Sequence, residues 1–264
     1  MKVAANLTTM FQEAGGLLSR YDAAASAGFR FVECAFPYAE SADAVAQRLE
    51  LSNLQQVLIN APPGSPEEGG GFGLAAVPRA QSTFEQSIRT AVGYAKRLAC
   101  HRIHVMAGKM PSDVLLMQAE AQYLRNIRFA ADLMANDGIT CLIEPINPYS
   151  VPGYFLNSYD QALGYIEKLS LPNLKLQMDI FHCQLLRGDL THSITNLMPH
   201  IGHIQVAQAP DRHEPNSAGE INYGYVFDLL GKLGYDGFIG AEYLPKSLTT
   251  TGLDWIQQYA LDLH

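Results

Sequence analysis

Glu144, Asp179, Gln205 and Glu242 stand at or near the ends of four apolar runs: Cys141-Leu-Ile-Glu144, Leu176-Gln-Met-Asp179, His203-Ile-Gln205-Val206 and Phe238-Ile-Gly-Ala-Glu242. Successive members lie 35, 26 and 37 residues apart, room in each case for a loop, a helix and a new strand. Such a period sets the four side chains on one rim of a barrel of parallel strands, where their oxygens converge. Three carboxylates brought together repel one another and shift their pKa values upward. A divalent cation resolves that conflict. Four oxygen ligands without a thiolate suit Mg²⁺ or Mn²⁺ better than structural zinc. Taken singly, each residue has a plainer use. An acid after a strand often caps the next helix, and Asp179, before Ile-Phe-His182, is placed to do so. Their joint occurrence on four consecutive strand ends favours the metal site.

Other polar groups lie close by in sequence. His182 is three residues past Asp179, Arg212 is seven past Gln205, and Lys109 ends Met106-Ala-Gly-Lys109. An arginine holds a carboxylate bidentately and a lysine supplies a point charge, so these are candidate contacts for an anionic substrate. Each alone is more often a surface residue. His203, inside an apolar run, reads as a satisfied core histidine. His101, His104, His192, His200, His213 and His264 form no i, i+4 ligand pair.

The elements that must position these groups follow from periodicity. Short runs rich in Val, Ile and Phe predict eight strands, at 2–6, 30–35, 55–60, 102–107, 139–144, 174–179, 202–207 and 237–242. Pro145 keeps Glu144 extended, so the fifth strand is expected to run through that carboxylate. Phe84, Ile88, Ala91, Ala95 and Leu98 form one helical stripe, and Leu116, Tyr123, Ile127, Ala131 and Met134 mark another. Eight strands alternating with helices predict an α/β chain closed into a (β/α)₈ TIM barrel, as a single domain over residues 1–264. An open doubly wound sheet is the competitor, weakened by the lack of Gly-x-Gly-x-x-Gly after the first strand. Residues 61–78 break the pattern, with Pro62 and Pro63 at the base and a glycine run in the middle. They read equally as a lid over the barrel mouth or as an exposed insertion.

Bulk properties narrow the partners. The 264 residues carry a formal net charge of −8 with no basic stripe, which argues against nucleic acid. No apolar run reaches the ~18 residues of a membrane span, and the N-terminus resembles a strand more than a signal peptide. A cytoplasmic location is expected, with Cys34, Cys100, Cys141 and Cys183 reduced. A homo-oligomer is left open.

Several motifs then carry a resemblance. Glu144-Pro-Ile-Asn147, Gln177-Met-Asp-Ile-Phe-His182, Gly202-His-Ile-Gln-Val-Ala207 and Gly219-Glu-Ile-Asn-Tyr223 are similar to those of the hydroxypyruvate isomerase family. So are Ala5-Asn-Leu7, Gly28-Phe-Arg-Phe-Val-Glu33 and Asn60-Ala-Pro-Pro-Gly64. The resemblance covers nearly the whole chain and implies a xylose-isomerase-like barrel. It implies that Glu144 and Glu242 are proton donor and acceptor, and also metal ligands with Asp179 and Gln205. It implies that His182 and Arg212 contact substrate; Lys109 is added from its sequence position alone. The implied reaction interconverts hydroxypyruvate and 2-hydroxy-3-oxopropanoate, a small anionic 2-oxo acid pair, through a metal-stabilised enediolate. Related epimerases carry His where this chain has Gln205, which disfavours a ketose 3-epimerase. A 2-oxotetronate isomerase acting on a four-carbon acid is the near alternative. A repair nuclease and an inactive metabolite-binding barrel are remoter ones.

Overall fold

The computed structural model describes residues 1–65 and 71–263. Eight parallel strands close into a barrel in sequence order. They are β1 (Lys2–Asn6), β2 (Phe31–Cys34), β3 (Gln55–Asn60), β4 (Arg102–His104), β5 (Thr140–Ile143), β6 (Leu174–Asp179), β7 (Ile201–Val206) and β8 (Phe238–Ala241). Closure comes from β1 pairing with β8, in register Val3 with Ile239. Among the described residues the helices are α1 (Leu17–Ser26), α2 (Ala42–Leu51), α3 (Gln81–Arg97), α4 (Leu116–Ala135), α5 (Tyr159–Leu169), α6 (Ile180–Leu186), α7 (Leu190–Leu197), α8 (Tyr223–Lys232) and α9 (Asp254–Gln258). The helical stripes of α3 and α4 are the buried faces that the periodicity predicts: Phe84, Ile88, Ala91 and Ala95 on one, Tyr123, Ile127, Ala131 and Met134 on the other.

Strand positions agree with the sequence pattern to within a residue except at β4. The expected strand to 107 stops at His104, because the chain beyond bends to pair Ala107 with Gly73 and Lys109 with Tyr154. β5 ends at Ile143, one residue short of Glu144.

Alternate residues of a strand face opposite sides of the sheet, so each barrel strand has one row packed on helices and one row inside. The helix-facing rows, such as Leu174, Leu176 and Met178 of β6, join the large core. The inner rows divide along the barrel axis. At the bottom, Ala4, Phe31, Val57, Leu58 and Leu142 form a separate apolar cluster with Phe238 against it. Lys2 and Arg102 stack over this aromatic floor, Lys2 Nζ 5.3 Å from the Phe31 ring and Arg102 5.0 Å from Phe238. Two residues further along the same rows the side chains turn polar. Ala4 gives way to Asn6, Phe31 to Glu33, and Leu142 to Glu144, all buried.

The long segment at 61–78 partly answers its two readings; its middle, 66–70, lies outside the described residues. Leu74, Ala75, Ala76 and Val77 are buried, so this part is not an exposed insertion. Gly73, at φ +101°, lies so close to the Met106 carbonyl that no side chain would fit. That contact pins the segment to the loop after β4 and sets Phe72 at the barrel mouth.

Candidate active site

The polar upper layer is a connected hydrogen-bond network whose amide orientations are dictated by carboxylates, which accept only. Glu33, on β2, accepts from Asn6 Nδ2 at 2.8 Å, Gln205 Nε2 at 2.6 Å and His203 Nε2 at 2.7 Å. Gly240 faces the Glu33 carboxylate, where an added Cβ would lie 2.5 Å from an oxygen, so a side chain there is excluded. With its nitrogen turned to Glu33, Gln205 presents Oε1 to Gln177 Nε2 at 2.7 Å. Gln177 also donates to Glu144 Oε2 at 3.0 Å, which leaves Glu144 Oε1 without a hydrogen-bond partner. Asn6 Nδ2 reaches Glu242 Oε1 at 3.2 Å.

Asp179 satisfies both of its sequence readings. One oxygen caps α6 by accepting from the Phe181 amide at 2.9 Å, and the other faces the site. There it meets Arg212 Nη2 at 3.2 Å and lies 3.6 Å from His182 Nε2. The same Arg212 nitrogen donates to Glu242 Oε2 at 2.7 Å. Arg212 adopts a left-handed backbone, φ +58°, which costs a non-glycine residue on the order of 1–3 kcal/mol. Its amide bonded to Gln208 O and its carbonyl to the Leu244 amide hold that turn, with the guanidinium over the Phe181 ring.

His182 has its tautomer set by its neighbour. Asn147 Oδ1 accepts from the Tyr149 and Ser150 amides, so Asn147 Nδ2 must point at His182 Nδ1, 2.6 Å away. Nδ1 therefore accepts, and in the neutral ring the proton sits on Nε2, on the Asp179 side.

The charges bear on one another. Burial pushes Glu144 well above the ordinary carboxylate range, and the neighbouring Glu242 and Asp179 push it further. Burial raises Glu242 to about 7, against the lowering pull of Arg212. Asp179 is raised by burial and restrained by Arg212 and the Phe181 amide. Burial drives His182 well below its usual range and takes His104 down to about 3, so both rings are neutral near pH 7.

One cavity of about 180 Å³ is lined by Glu144, Glu242, Gln177, His182, His104 and Arg212 on its polar side and by Phe36, Phe72, Met106 and Ile146 on its apolar side, while Asp179 and Gln205 are buried outside its lining. Its volume is below the ~300–1,000 Å³ usual for drug-sized ligands, which suits a small acid. Of the expected contacts, His182 and Arg212 are in its wall. Lys109 stands behind it, with Nζ 4.6 Å from the Phe72 ring. His203 is a buried core histidine, paired with Glu33 through Nε2, but only half satisfied, because Nδ1 has no partner. Asn6, Glu33 and Gln177 fall within the motifs that carry the resemblance and His104 among the histidines noted, but none was given a role; the signal for one is position in the inner row, two residues beyond an apolar floor residue or level with one that is.

Part of the donor set could hold a metal ion. Glu144, Asp179 and His182 each offer an atom within 4.8 Å of the others. The unpartnered oxygen of Glu144 and the mutual repulsion of the acids are what a cation would relieve.

The fold is that of a known class. The chain belongs to the xylose isomerase-like TIM barrel family, whose model matches residues 21–259. It is 44% identical to a 2-oxo-tetronate isomerase of Cupriavidus necator, over 98% of each chain. It is 37% identical to the hydroxypyruvate isomerase of Escherichia coli, over 98% of this chain and 99% of that one. A crystal structure from Brucella melitensis titled AP endonuclease, family 2, superposes with a TM-score of 0.93 at 41% identity, covering 98% of each chain.

Proposed function

We propose that the protein is an intramolecular aldose–ketose isomerase interconverting hydroxypyruvate and 2-hydroxy-3-oxopropanoate. The observation that carries this reading is the pair of acids, buried Glu144 and part-buried Glu242, facing one small cavity with their pKa values raised. Raised carboxylates are suited to exchange protons with carbon near neutral pH. The activities named for the two isomerase relatives support it.

Glu144, Asp179, Glu242 and the Oε1 of Gln205 would hold the cation, Mg²⁺ or Mn²⁺ from the oxygen donors. His182 is better used elsewhere, because its site-facing nitrogen carries the proton. When bound, the cation acts as a Lewis acid toward the substrate oxygens. One of the two glutamates removes a proton from C3 of hydroxypyruvate, giving the enediolate. A glutamate returns a proton to C2, while the hydroxyl proton leaves O3 and one is gained at O2. Atoms and electrons balance with no redox partner. His182 Nε2–H and Arg212 are positioned to donate to substrate oxygens, Arg212 once it is released from Asp179 and Glu242; Lys109 adds positive charge at the mouth. The phenyl rings of Phe36 and Phe72 limit water on the apolar side.

The Cupriavidus relative favours a second reading, the same chemistry on a four-carbon 2-oxo acid. The net charge of −8 weighs against DNA as substrate. The test is metal analysis combined with isomerisation assays on both acids, before and after chelation. Turnover of one acid that falls on chelation and returns with Mg²⁺ or Mn²⁺ is expected. Full activity in verified metal-free protein would refute the role given to the cation, and no activity on either acid would refute the isomerase reading.

A further inference from the structure

His104 ends β4 beside Glu144 and is 1% exposed, yet neither ring nitrogen has a hydrogen-bond partner. Its Nδ1 is 3.5 Å from Glu144 Oε2 without forming a hydrogen bond. That oxygen is already taken by Gln177, so it gives His104 no firm anchor. Leaving a buried polar group unsatisfied is unfavourable, and such groups call for an explanation. His203, buried on β7, has one partner in Glu33 and one unpartnered nitrogen, Nδ1. The difference is place: His203 lies under the site, while His104 lines the cavity. Gln177, also in the wall, has an unpartnered Oε1. Three side chains of the cavity wall thus carry buried, unpartnered polar atoms, the His104 ring nitrogens, Gln177 Oε1 and Glu144 Oε1, and both His104 and Gln177 meet Glu144 at Oε2.

We propose that His104 is a substrate-contacting residue, its ring N–H donating to the oxygen on which negative charge develops, with Gln177 Oε1 accepting from the neighbouring hydroxyl. The inference rests on the isomerase reading for the identity of the substrate but not for the contact itself. Both side chains adjoin Glu144 at Oε2, which sets them beside one of the two acids given the proton transfer. A donor aimed at developing charge is worth roughly 10²–10³-fold in rate.

The test uses the full-length metal-loaded protein and two variants, His104→Phe and His104→Gln. Readouts are kcat/KM on hydroxypyruvate, calorimetric binding of D-glycerate as an unreactive hydroxy acid, and Mn²⁺ affinity. Expected for His104→Phe is a roughly 10²-fold loss in kcat/KM and about tenfold weaker glycerate binding. Mn²⁺ affinity should stay within about twofold. His104→Gln, which keeps an N–H donor, should recover about tenfold of the lost rate, and it answers for His104→Phe should the ring swap impair folding. Wild-type rate and glycerate affinity in His104→Phe would overturn the proposal. So would equal loss in both variants together with weakened Mn²⁺ binding, which would make His104 a support for the metal site. If the wild type turns over neither acid but glycerate binding still depends on His104, the isomerase reading falls and the contact stands. Absence of both turnover and glycerate binding overturns both.

Discussion

The two ends of the barrel interior are built from the same strand rows and obey opposite rules. At the floor, Phe31, Leu58, Leu142 and Phe238 fill the space with apolar contact, and two cations stack on the aromatic faces from below. Two residues further along, Glu33, Glu144, Gln177 and Gln205 fill an equally buried layer with hydrogen bonds and leave several polar atoms unmatched. The floor is packed for stability. The upper layer holds Glu144, whose ionisation burial opposes, a cost that a site for a charged ligand can offset and a purely structural core has no use for.

Changing either layer should therefore affect different quantities. The largest effect is expected from Glu242→Gln, which should lower kcat roughly 10²–10⁴-fold. The same change should leave the metal-free protein no less stable, because a raised carboxylate is removed. Phe31→Ala in the floor should do the reverse. It should cost about 3–5 kcal/mol in denaturant unfolding while kcat per folded molecule is kept. A loss of kcat comparable to that of Glu242→Gln would erase the distinction between the layers.

A pH effect of intermediate size follows from Glu242, raised to about 7 from 4.5. Between those values the folded chain binds more protons than the unfolded one. The associated stability is present below pH 4.5 and is lost as pH rises through about 7. The Tm of chelator-treated protein should therefore fall from pH 5 to pH 8, and the fall should be shallower in Glu242→Gln. Saturating Mn²⁺ should remove much of it, since the cation replaces the protons. An equal slope in the variant would contradict the assignment. The smallest effect is expected at the mouth: Lys109→Ala and Phe72→Ala should each raise KM several-fold with little change in kcat, since Lys109 meets the cavity only through that ring.

The comparison also explains what was legible in the sequence. Strand positions were, because strands covered on both faces appear as apolar runs. Glu144, Asp179 and Glu242 stood out because they end such runs at regular intervals. Glu33 and His104 did not, since each looks like the tail of one strand and gains meaning only from residues on other strands, His203 and Gln205 for the first and Glu144 for the second. Arg212 was noted as a cation, but its pairing with both Asp179 and Glu242 depends on a left-handed turn after β7 that no local pattern announces. The double duty of Asp179, one oxygen capping α6 and the other facing the site, is likewise a matter of geometry.

The isomerase reading depends on Glu144 moving a proton at carbon. The most direct measurement is NMR of hydroxypyruvate incubated with the metal-loaded wild type and with Glu144→Gln, both verified as folded and metal-bound. The account predicts conversion to 2-hydroxy-3-oxopropanoate by the wild type and a rate at least about 10²-fold lower in the variant. Conversion at a near-normal rate by Glu144→Gln would contradict it.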